Sequence, residues 1–368
     1  MGSTAPLEVV RTLHIETTRV LAMKKSGLVP LVRASGFGSL PQLLEERAGE
    51  RALLKALDSE GLPIAVRELG GMPVPARALI GLFARAGSML GDRALGLQIG
   101  KRMSYAGYGP WAVRASMAPS LYEAISFANS TSQAHAAAAY RFDMVHQDTH
   151  WVWRIIRIRA LRGDIHHSDH QIFPMIDFAR PFLGPDWWPD WIEVDYGKDP
   201  GAFNIERIVE APVRFGRPGV GVAFSREQLA HARREKPDPS AIVNVLPRPI
   251  YDDIILPDAP EPVRSFSAIV ALRLIDGQSD IDGAARIAGV GVQRLQRDLR
   301  RAGYFYREVL EIARRKRAIH LLTKTHMSIA DIAASLGYEE HANFTRAFGR
   351  WQQCSPSEFR RMNGQDLP

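Results

Sequence analysis

A chain of 368 residues with a net charge of +7 and 46% hydrophobic residues is long enough for two or three domains, each with its own core. Its longest apolar stretches, such as 134–139, are far shorter than the roughly 20 residues that cross a bilayer, so we expect no membrane contact. The first residues lack the apolar core of a secretory signal, and the single cysteine, Cys354, excludes an internal disulfide and a cysteine-rich zinc site. We therefore expect a cytoplasmic protein that is stabilised by packing alone.

The first part of the chain mixes helical and strand patterns. Apolar residues recur at helical spacing in 40–57 and 75–99. Within 144–159, an alternating run at 151–159 that is rich in aromatic and β-branched residues predicts a strand facing a core, and 191–196 and 220–224 are shorter strand candidates. These patterns predict an α+β fold for the N-terminal domain.

A proline-rich segment interrupts these patterns. Seven prolines fall within 237–262, and this density prevents a long helix or an interior strand. We place a stiff connector at 233–264, which leaves an N-terminal domain at 1–232 and a C-terminal domain at 265–368. The embedded residues 250–256 are apolar enough to dock as a short helix or strand.

The positive charge is concentrated in the C-terminal domain. Residues 286–317 contain ten basic and three acidic side chains. Such a stripe suits a polyanion, because phosphates neutralised by basic side chains release counterions. A solvated helix face is the alternative explanation of a charge run alone.

Two helix-turn-helix patterns follow each other in the C-terminal domain. In the first, Asp280 caps a short helix, a turn follows at 289–291, and a second helix points Leu295 and Leu299 inward. Its outer face carries Gln293, Gln296, Arg297 and Arg300, with Arg294 beside them. Arginine and glutamine can form paired hydrogen bonds with guanine and adenine edges, respectively.

The second pattern begins at Ser328, which forms a predicted capping box with Asp331. Gly337 ends the first helix of this unit. The second helix carries Phe344 and Phe348 inward and exposes His341, Ala342, Thr345 and Arg346. One helix over 308–322 is predicted to separate the two units, so the C-terminal domain should be all-α.

Residues 281–361 resemble the DNA-binding domain of the AraC/XylS family of transcription regulators. The resemblance rests on the turns 288–289 and 337–338, on the closing run 355–360, and on single positions in both units. Those positions are Leu295, Arg297, Arg314, Ala318, Leu321, Leu322, Ile329, Ile332, Ala333, Phe344, Arg346 and Phe348. It implies double-stranded DNA and RNA polymerase as partners, no cofactor and no enzymatic activity. The family's groove-reading positions map onto Gln293, Gln296, Arg297, His341, Ala342 and Arg346.

Three features depart from the family pattern. Gly291 stands where a serine cap is usual, and Gly283 lies inside the first helix, which is expected to loosen it. Residues 304–306 replace a small residue followed by proline. These changes bear on affinity more than on fold.

Residues 28–232 resemble the arabinose-binding-type effector domain of a subset of this family. The likeness lies in 31–36, 72–75, 91–97 and 203–215. It implies a homodimer and a small-molecule effector, which need not be arabinose.

Four segments are candidate ligand sites in this domain. Tyr105, Tyr108 and Trp111 belong to a glycine-rich aromatic segment that suits a bent strand with core aromatics or, alternatively, a pocket wall. Arg47 and Arg51 have a spacing found in cyclic dinucleotide sites, although two arginines four apart on a helix more often face solvent. Three histidines in 166–170 suggest a metal or, more simply, a polar loop, and three tryptophans in 185–191 suggest a ligand stack or a folded turn that buries its indoles.

Three functions therefore compete. The leading hypothesis is a transcription regulator that binds DNA sequence-specifically under the control of an effector. The alternatives are a metal- or nucleotide-binding enzyme with an appended DNA-binding domain, and an architectural DNA binder without an effector. No nucleophile motif, phosphate loop or catalytic carboxylate pair supports the enzyme.

Overall fold

The computed structural model describes residues 29–136, 139–159, 161, 163–234, 256 and 258–363. These residues divide into two compact units, one within Pro30–Asp253 and the other formed by Val29 and residues within Ile254–Pro368. Of the predicted proline-rich connector at 233–264, residues 235–255 and 257 lie outside the described residues, and the predicted apolar element at 250–256 falls there except for Leu256. Among the described helices, none has the length and apolar character that crossing a membrane requires.

The N-terminal unit begins with helices around a two-stranded ribbon. The predicted helices over 40–57 and 75–99 are each divided in two, because Gly49 (φ 85°) and Gly91 (φ 61°) adopt backbone conformations that end a helix. The elements are β1 (Leu31–Arg33), α1 (Leu40–Ala48), α2 (Glu50–Glu60), β2 (Pro73–Pro75), α3 (Ala76–Leu90) and α4 (Leu95–Lys101), with β1 and β2 antiparallel.

A five-stranded mixed sheet forms the rest of this unit, in the order β3-β4-β7-β5-β6. The strand predicted within 144–159 is confirmed as β4, but the first residues of that range belong to β3, because the chain turns through Asp148 (φ 57°) and forms a hairpin. The two shorter predicted strands are confirmed as β5 and β7. The strands are β3 (Tyr140–Gln147), β4 (His150–Arg157), β5 (Ile192–Glu193), β6 (Val213–Arg214) and β7 (Val220–Ser225).

Helices pack against this sheet and enclose its main core. Trp153, Phe178, Phe182, Val222 and Phe224 are among the buried side chains of that core. The helices are α5 (Pro110–Ser116), α6 (Leu121–Ala136), α7 (Ile165–Asp169), α8 (Ile172–Leu183), α9 (Ala202–Val209) and α10 (Arg226–Leu229). The α+β prediction for the N-terminal domain is confirmed.

The C-terminal unit is all-α, as predicted. Its helices are α11 (Val263–Arg273), α12 (Ile281–Ala288), α13 (Val292–Arg301), α14 (Tyr306–Lys324), α15 (Ile329–Ser335), α16 (His341–Gln352) and α17 (Pro356–Asn363). The long α14 joins two helix pairs, α12 with α13 and α15 with α16. Ala318, Leu322, Leu336, Phe344 and Phe348 form the core around the second pair.

Candidate DNA interface and ligand cavity

The first helix-turn-helix unit has the predicted caps. Asp280 Oδ1 accepts a hydrogen bond from the Gly283 amide at 2.6 Å, which starts α12. Gly289 adopts a left-handed conformation (φ 71°) and ends it. Leu295 and Leu299 lie on the inner face of α13 and are fully buried. These signals are local, so the sequence predicts this unit well.

The outer face of α13 is strongly basic. Gln293, Arg294, Arg297 and Arg300 are exposed, and Gln296 is half-buried. Asp298 is the single acidic residue of this helix, and its carboxylate lies 3.4 Å from Nε of Arg294 and 3.9 Å from Nε of Arg297. One carboxylate among four arginines leaves this face positive.

The second unit begins at Ser328, with one difference from the predicted capping box. Ser328 Oγ accepts a hydrogen bond from the Asp331 amide at 3.0 Å, as predicted. The Asp331 carboxylate accepts a hydrogen bond from the Ser328 hydroxyl at 2.6 Å, where the prediction had it accepting from a backbone amide. The carboxylate therefore orients the capping hydroxyl.

The outer face of α16 presents the predicted set of side chains. His341, Ala342 and Arg346 are exposed, and Thr345 is half-buried. Arg346 Nη2 donates to Asn343 Oδ1 at 2.5 Å, which holds the guanidinium along the exposed face. Thr345 Oγ1 donates to the backbone carbonyl of His341 at 3.1 Å.

Arg314 ties the turn of the second unit to α14. Its Nε donates to the Leu336 carbonyl at 2.8 Å, and its Nη2 donates to the Gly337 carbonyl at 3.0 Å. The guanidinium also lies over the Tyr338 ring, 4.4 Å from its centroid. Arg314 therefore holds the turn before α16 and does not project outward as the exposed Arg297 and Arg346 do.

A cleft between α14 and α16 gathers further arginines. Arg307 and Arg350 are exposed and line this cleft together with Arg314 and Arg346. Glu311, 3.9 Å from Nη2 of Arg350, is the acidic residue of its lining. Reasoning from the sequence missed Arg307 and Arg350. The sequence feature that could have identified Arg350 is its position one helical turn beyond Arg346.

The aromatic run 304–306, which departs from the family pattern, has a structural role. Tyr306 Oη donates to the backbone carbonyls of Ser279 and Asp280 at 3.2 and 3.1 Å, so α14 holds the start of α12. Burial raises the pKa of Tyr306 to about 12, which keeps its hydroxyl a donor. The Phe305 amide donates to Glu308 Oε2 at 2.7 Å.

The N-terminal unit contains a cavity with apolar walls. Its volume is about 100 Å³, and it is partly open to solvent. Concave, largely apolar pockets with a few polar groups are typical of small-molecule sites. Its aromatic wall residues are Tyr105, Tyr108, Trp111, Tyr140, Phe142, Trp153 and Phe178.

Three of these residues come from the glycine-rich aromatic segment, but the bent strand predicted there is wrong. Tyr105–Tyr108 is one turn of 3₁₀-helix, and Pro110 then occupies the first turn of α5, where its missing amide donor is tolerated. Trp111 Nε1 donates to Thr131 Oγ1 at 2.9 Å. The structure brings all three aromatic candidates to one cavity.

The histidine cluster forms a buried helix and not a polar loop. His167, His170 and the adjacent Gln171 line the cavity and are each at least nine-tenths buried. This helix, α7, lies very close to α4, since a Cβ at Gly96 would meet the His166 carbonyl oxygen at 2.3 Å. Within the described parts of the chain, no three His, Cys, Asp or Glu side chains form a metal-binding group.

The two histidines of the cavity are uncharged at neutral pH. Burial lowers the pKa of His170 to about 4, and it also lowers that of His167, which lies beside His170 and Arg157. His167 Nε2 is 2.9 Å from the Tyr140 hydroxyl. The buried Oε1 of Gln171 has no hydrogen-bond partner among the described residues.

The structure does not bring Arg47 and Arg51 into this cavity. They lie on separate helices, α1 and α2, on either side of Gly49. Arg47 Nη1 pairs with Asp92 at 2.7 Å, and its Nη2 donates to Gln98 Oε1 at 2.5 Å. The prediction of two arginines four apart on one helix is therefore wrong.

The tryptophan run 185–191 is a folded turn, as predicted, but only Trp191 is buried and Trp187 and Trp188 are half-buried. The Trp187 ring stacks on Phe224 with centroids 5.2 Å apart. Arg214 lies 3.6 Å from the ring centroid of Trp191, which is buried. These rings contact the protein itself.

Comparisons with known proteins agree with both units. A family model described as the arabinose-binding domain of AraC transcription regulator, N-terminal, matches residues 52–232, and a helix-turn-helix domain model matches residues 284–362. The ornithine utilization regulator of Pseudomonas aeruginosa is 22% identical over 281 residues, 75% of this chain and 80% of that protein.

Two further similarities were found. The transcriptional regulator VqsM of Pseudomonas aeruginosa is 37% identical over 76 residues, 21% of this chain and 23% of that protein. The crystal structure of the transcriptional regulator CdpR from the same organism covers 84% of this chain and 97% of its own, at 18% identity and a TM-score of 0.38.

Proposed function

Because the chain belongs to the AraC-type DNA-binding transcription regulators, with an N-terminal domain of the arabinose-binding type, we propose that a small molecule in the aromatic cavity controls its binding to an operator. The observation that carries this proposal is the pairing of a largely apolar cavity in one unit with two exposed basic recognition helices in the other. An architectural DNA binder without an effector does not account for the cavity.

The second helix of each helix-turn-helix unit is proposed to enter the major groove. On α13 the groove-facing residues are Gln293, Arg294, Gln296, Arg297 and Arg300. On α16 they are His341, Ala342, Thr345 and Arg346. Arg307 and Arg350 of the cleft beside α16 are proposed to contact phosphates, since an arginine cluster next to a recognition helix suits the DNA backbone.

Tyr105, Tyr108 and Trp111 are proposed to contact the effector, because they line the cavity. Arg47 and Arg51 are not, because neither is among its lining residues. The similar Pseudomonas aeruginosa protein is named for ornithine utilization. Ornithine does not fit this cavity as an effector, because its ammonium groups would find no carboxylate among the residues that line the cavity.

The domain boundaries are proposed as effector-binding and dimerisation at 1–232, connector at 233–264 and DNA binding at 265–368. The division of the described residues into two units supports a boundary within the connector. We further propose that the protein acts in the cytoplasm as a homodimer that contacts RNA polymerase and has no catalytic role. A dimer doubles the DNA contacts and raises the effective concentration at paired sites.

Recovery of genomic fragments tests this proposal. The full chain is mixed with sheared DNA from its own genome, and the retained fragments are sequenced with and without fractions of cell metabolites. We expect a small set of fragments that share a sequence, and at least one fraction that changes their retention. Retention without any shared sequence would favour the architectural DNA binder.

A further inference from the structure

The cavity of the N-terminal unit has a chemistry that narrows the ligand. Its walls are mostly apolar and include seven Phe, Tyr and Trp rings, and the remaining apolar lining includes Val32, Leu79, Ile155 and Met175. Such walls provide flat apolar surface for a ring. The ligand of this cavity is therefore bound mainly by apolar contact.

The charges of the lining restrict the ligand further. None of the lining residues is acidic, and Arg33, the lining residue with a permanent charge, donates to the Gly71 carbonyl at 2.6 Å. Burial raises the pKa of Tyr108 and Tyr140 and lowers that of His170, so these groups stay neutral near pH 7. An ammonium group in this cavity would lose its water without gaining a counter-charge.

One polar group of the wall remains without a partner. Gln171 is 7% exposed, and its Oε1 has no hydrogen bond among the described residues. Its Nε2 lies 3.5 Å from both ring nitrogens of His167, so the amide nitrogen, and not Oε1, faces that ring. A buried carbonyl oxygen without a donor is destabilising, and a ligand donor would satisfy it.

We propose that this cavity binds an uncharged, mainly apolar molecule with an aromatic ring system that donates one hydrogen bond to Gln171 Oε1. The inference rests on the proposed control by a small molecule, and it names the class of that molecule. It also assigns Gln171, which directly precedes α8, as the residue that selects for a donor.

Four naphthalene probes test the inference by calorimetric titration of the full chain. 2-Naphthol carries a donor, 2-methoxynaphthalene is similar in size without one, and 2-(aminomethyl)naphthalene and 2-naphthoate carry opposite charges. We expect 2-naphthol to bind about five- to tenfold more tightly than the methoxy probe, as one buried hydrogen bond requires. The two charged probes should bind more weakly still.

Two variants test whether Gln171 causes the difference in affinity between the two neutral probes. Gln171→Met keeps a similar volume but removes the acceptor, so the two neutral probes should bind it equally. Arg51→Gln, on the exposed surface outside the cavity, should bind all probes as the unchanged chain does. Equal affinity of the neutral probes for the unchanged chain, or tighter binding of a charged probe than of 2-naphthol, would overturn the inference without any variant.

DNA binding, measured on the same preparations, separates this inference from the proposed function. Absence of probe binding by a chain that still retains its genomic fragments would overturn the cavity assignment and leave the regulator intact. Probe binding of the expected order without any change in fragment retention would support the cavity assignment and count against control by this class of effector.

Discussion

The guanidinium of Arg273 occupies the space that a side chain at Gly283 would need. A Cβ at Gly283 would lie 1.9 Å from Nη2 of Arg273, which is 4% exposed. The same Nη2 donates to Asp280 Oδ2 at 2.6 Å and to Gln278 Oε1 at 3.1 Å. The sequence predicts that Gly283 loosens α12. In the structure, the buried Arg273 packs against α12 at Gly283 and hydrogen-bonds the capping residue Asp280.

Gly283→Ala should therefore destabilise the protein, although alanine has the higher helix propensity by about 1 kcal/mol. The arginine would have to leave its hydrogen bonds, and we expect a net loss of about 1 to 3 kcal/mol, as for other overpacked sites. Urea unfolding of the full chain measures this change. Gly291→Ser is the control, since a Cβ there meets nothing within 4 Å and serine is a good cap, so its effect should be a gain of a few tenths. A stabilised Gly283→Ala chain would contradict the packing role.

The C-terminal unit could be predicted closely because its signals are local. Asp280 and Ser328 cap helices through amides three residues away, and Gly289 and Gly337 end helices by their own backbone conformation. Each signal acts within one helical turn. The role of Arg273 could not be predicted in this way, because it depends on how one helix lies against another.

The ligand cavity could be predicted only in part. Its aromatic residues were identified by their composition, but the strand assigned to them was wrong, because Gly109 and Pro110 start a helix there. The place of His167 and Gln171 depends on α7 lying against α4, which requires Gly96. Histidine spacing alone does not carry that information, so the sequence suggested a metal or a loop.

Arg297→Ala should relax the preference for one base pair. If the exposed guanidinium contacts a guanine edge, its loss weakens specific binding by about 1 to 3 kcal/mol and leaves binding to random DNA nearly unchanged. Arg315→Ala is the matched control, because Arg315 is exposed on α14, outside both recognition helices. Gel-shift titration on the recovered operator and on random duplex measures both. Equal losses on the two DNAs for Arg297→Ala would identify a phosphate contact instead.

Replacing both Arg307 and Arg350 by alanine should weaken binding to every duplex alike. Log affinity falls linearly with log salt concentration, and each lost phosphate contact makes this slope less steep by about 0.9. The slope of the double variant should therefore be less steep by nearly 2, and its base preference should be unchanged. Binding measured over a range of salt concentrations checks this. An unchanged slope would place the arginine cleft off the DNA.

Gly96→Ala should disturb the cavity as well as stability. The added methyl group would meet the His166 backbone at 2.3 Å, so α7 would have to move and take His167 with it. We expect a loss of stability of about 1 to 3 kcal/mol and weaker binding of 2-naphthol. Gly107→Ala, where a Cβ meets nothing within 4 Å, is the control for both measurements. Unchanged probe affinity in Gly96→Ala would separate α7 from the ligand site.

His170 should make the stability of the protein depend on pH. Burial lowers its pKa from 6.5 to about 4, so the folded chain keeps this imidazole neutral while the unfolded chain takes up a proton. The stabilisation is therefore complete above the unfolded pKa and is lost as the pH falls toward the folded pKa. Between about pH 7 and about pH 5, this one group accounts for about 2 kcal/mol.

The neighbouring Asp169 acts in the opposite direction. Burial raises its pKa to about 6, against the effect of Arg93, so the folded chain takes up this proton more readily and gains stability as the pH falls through that range. The slope of the unchanged chain is thus a sum of opposing contributions. Comparison with His170→Gln isolates the histidine, because Asp169 is present in both chains. Urea unfolding of both chains at about pH 7 and about pH 5 should show a smaller loss in the variant, by about 2 kcal/mol. The same loss in both chains would mean that the His170 imidazole is protonated as readily in the folded state as in the unfolded one.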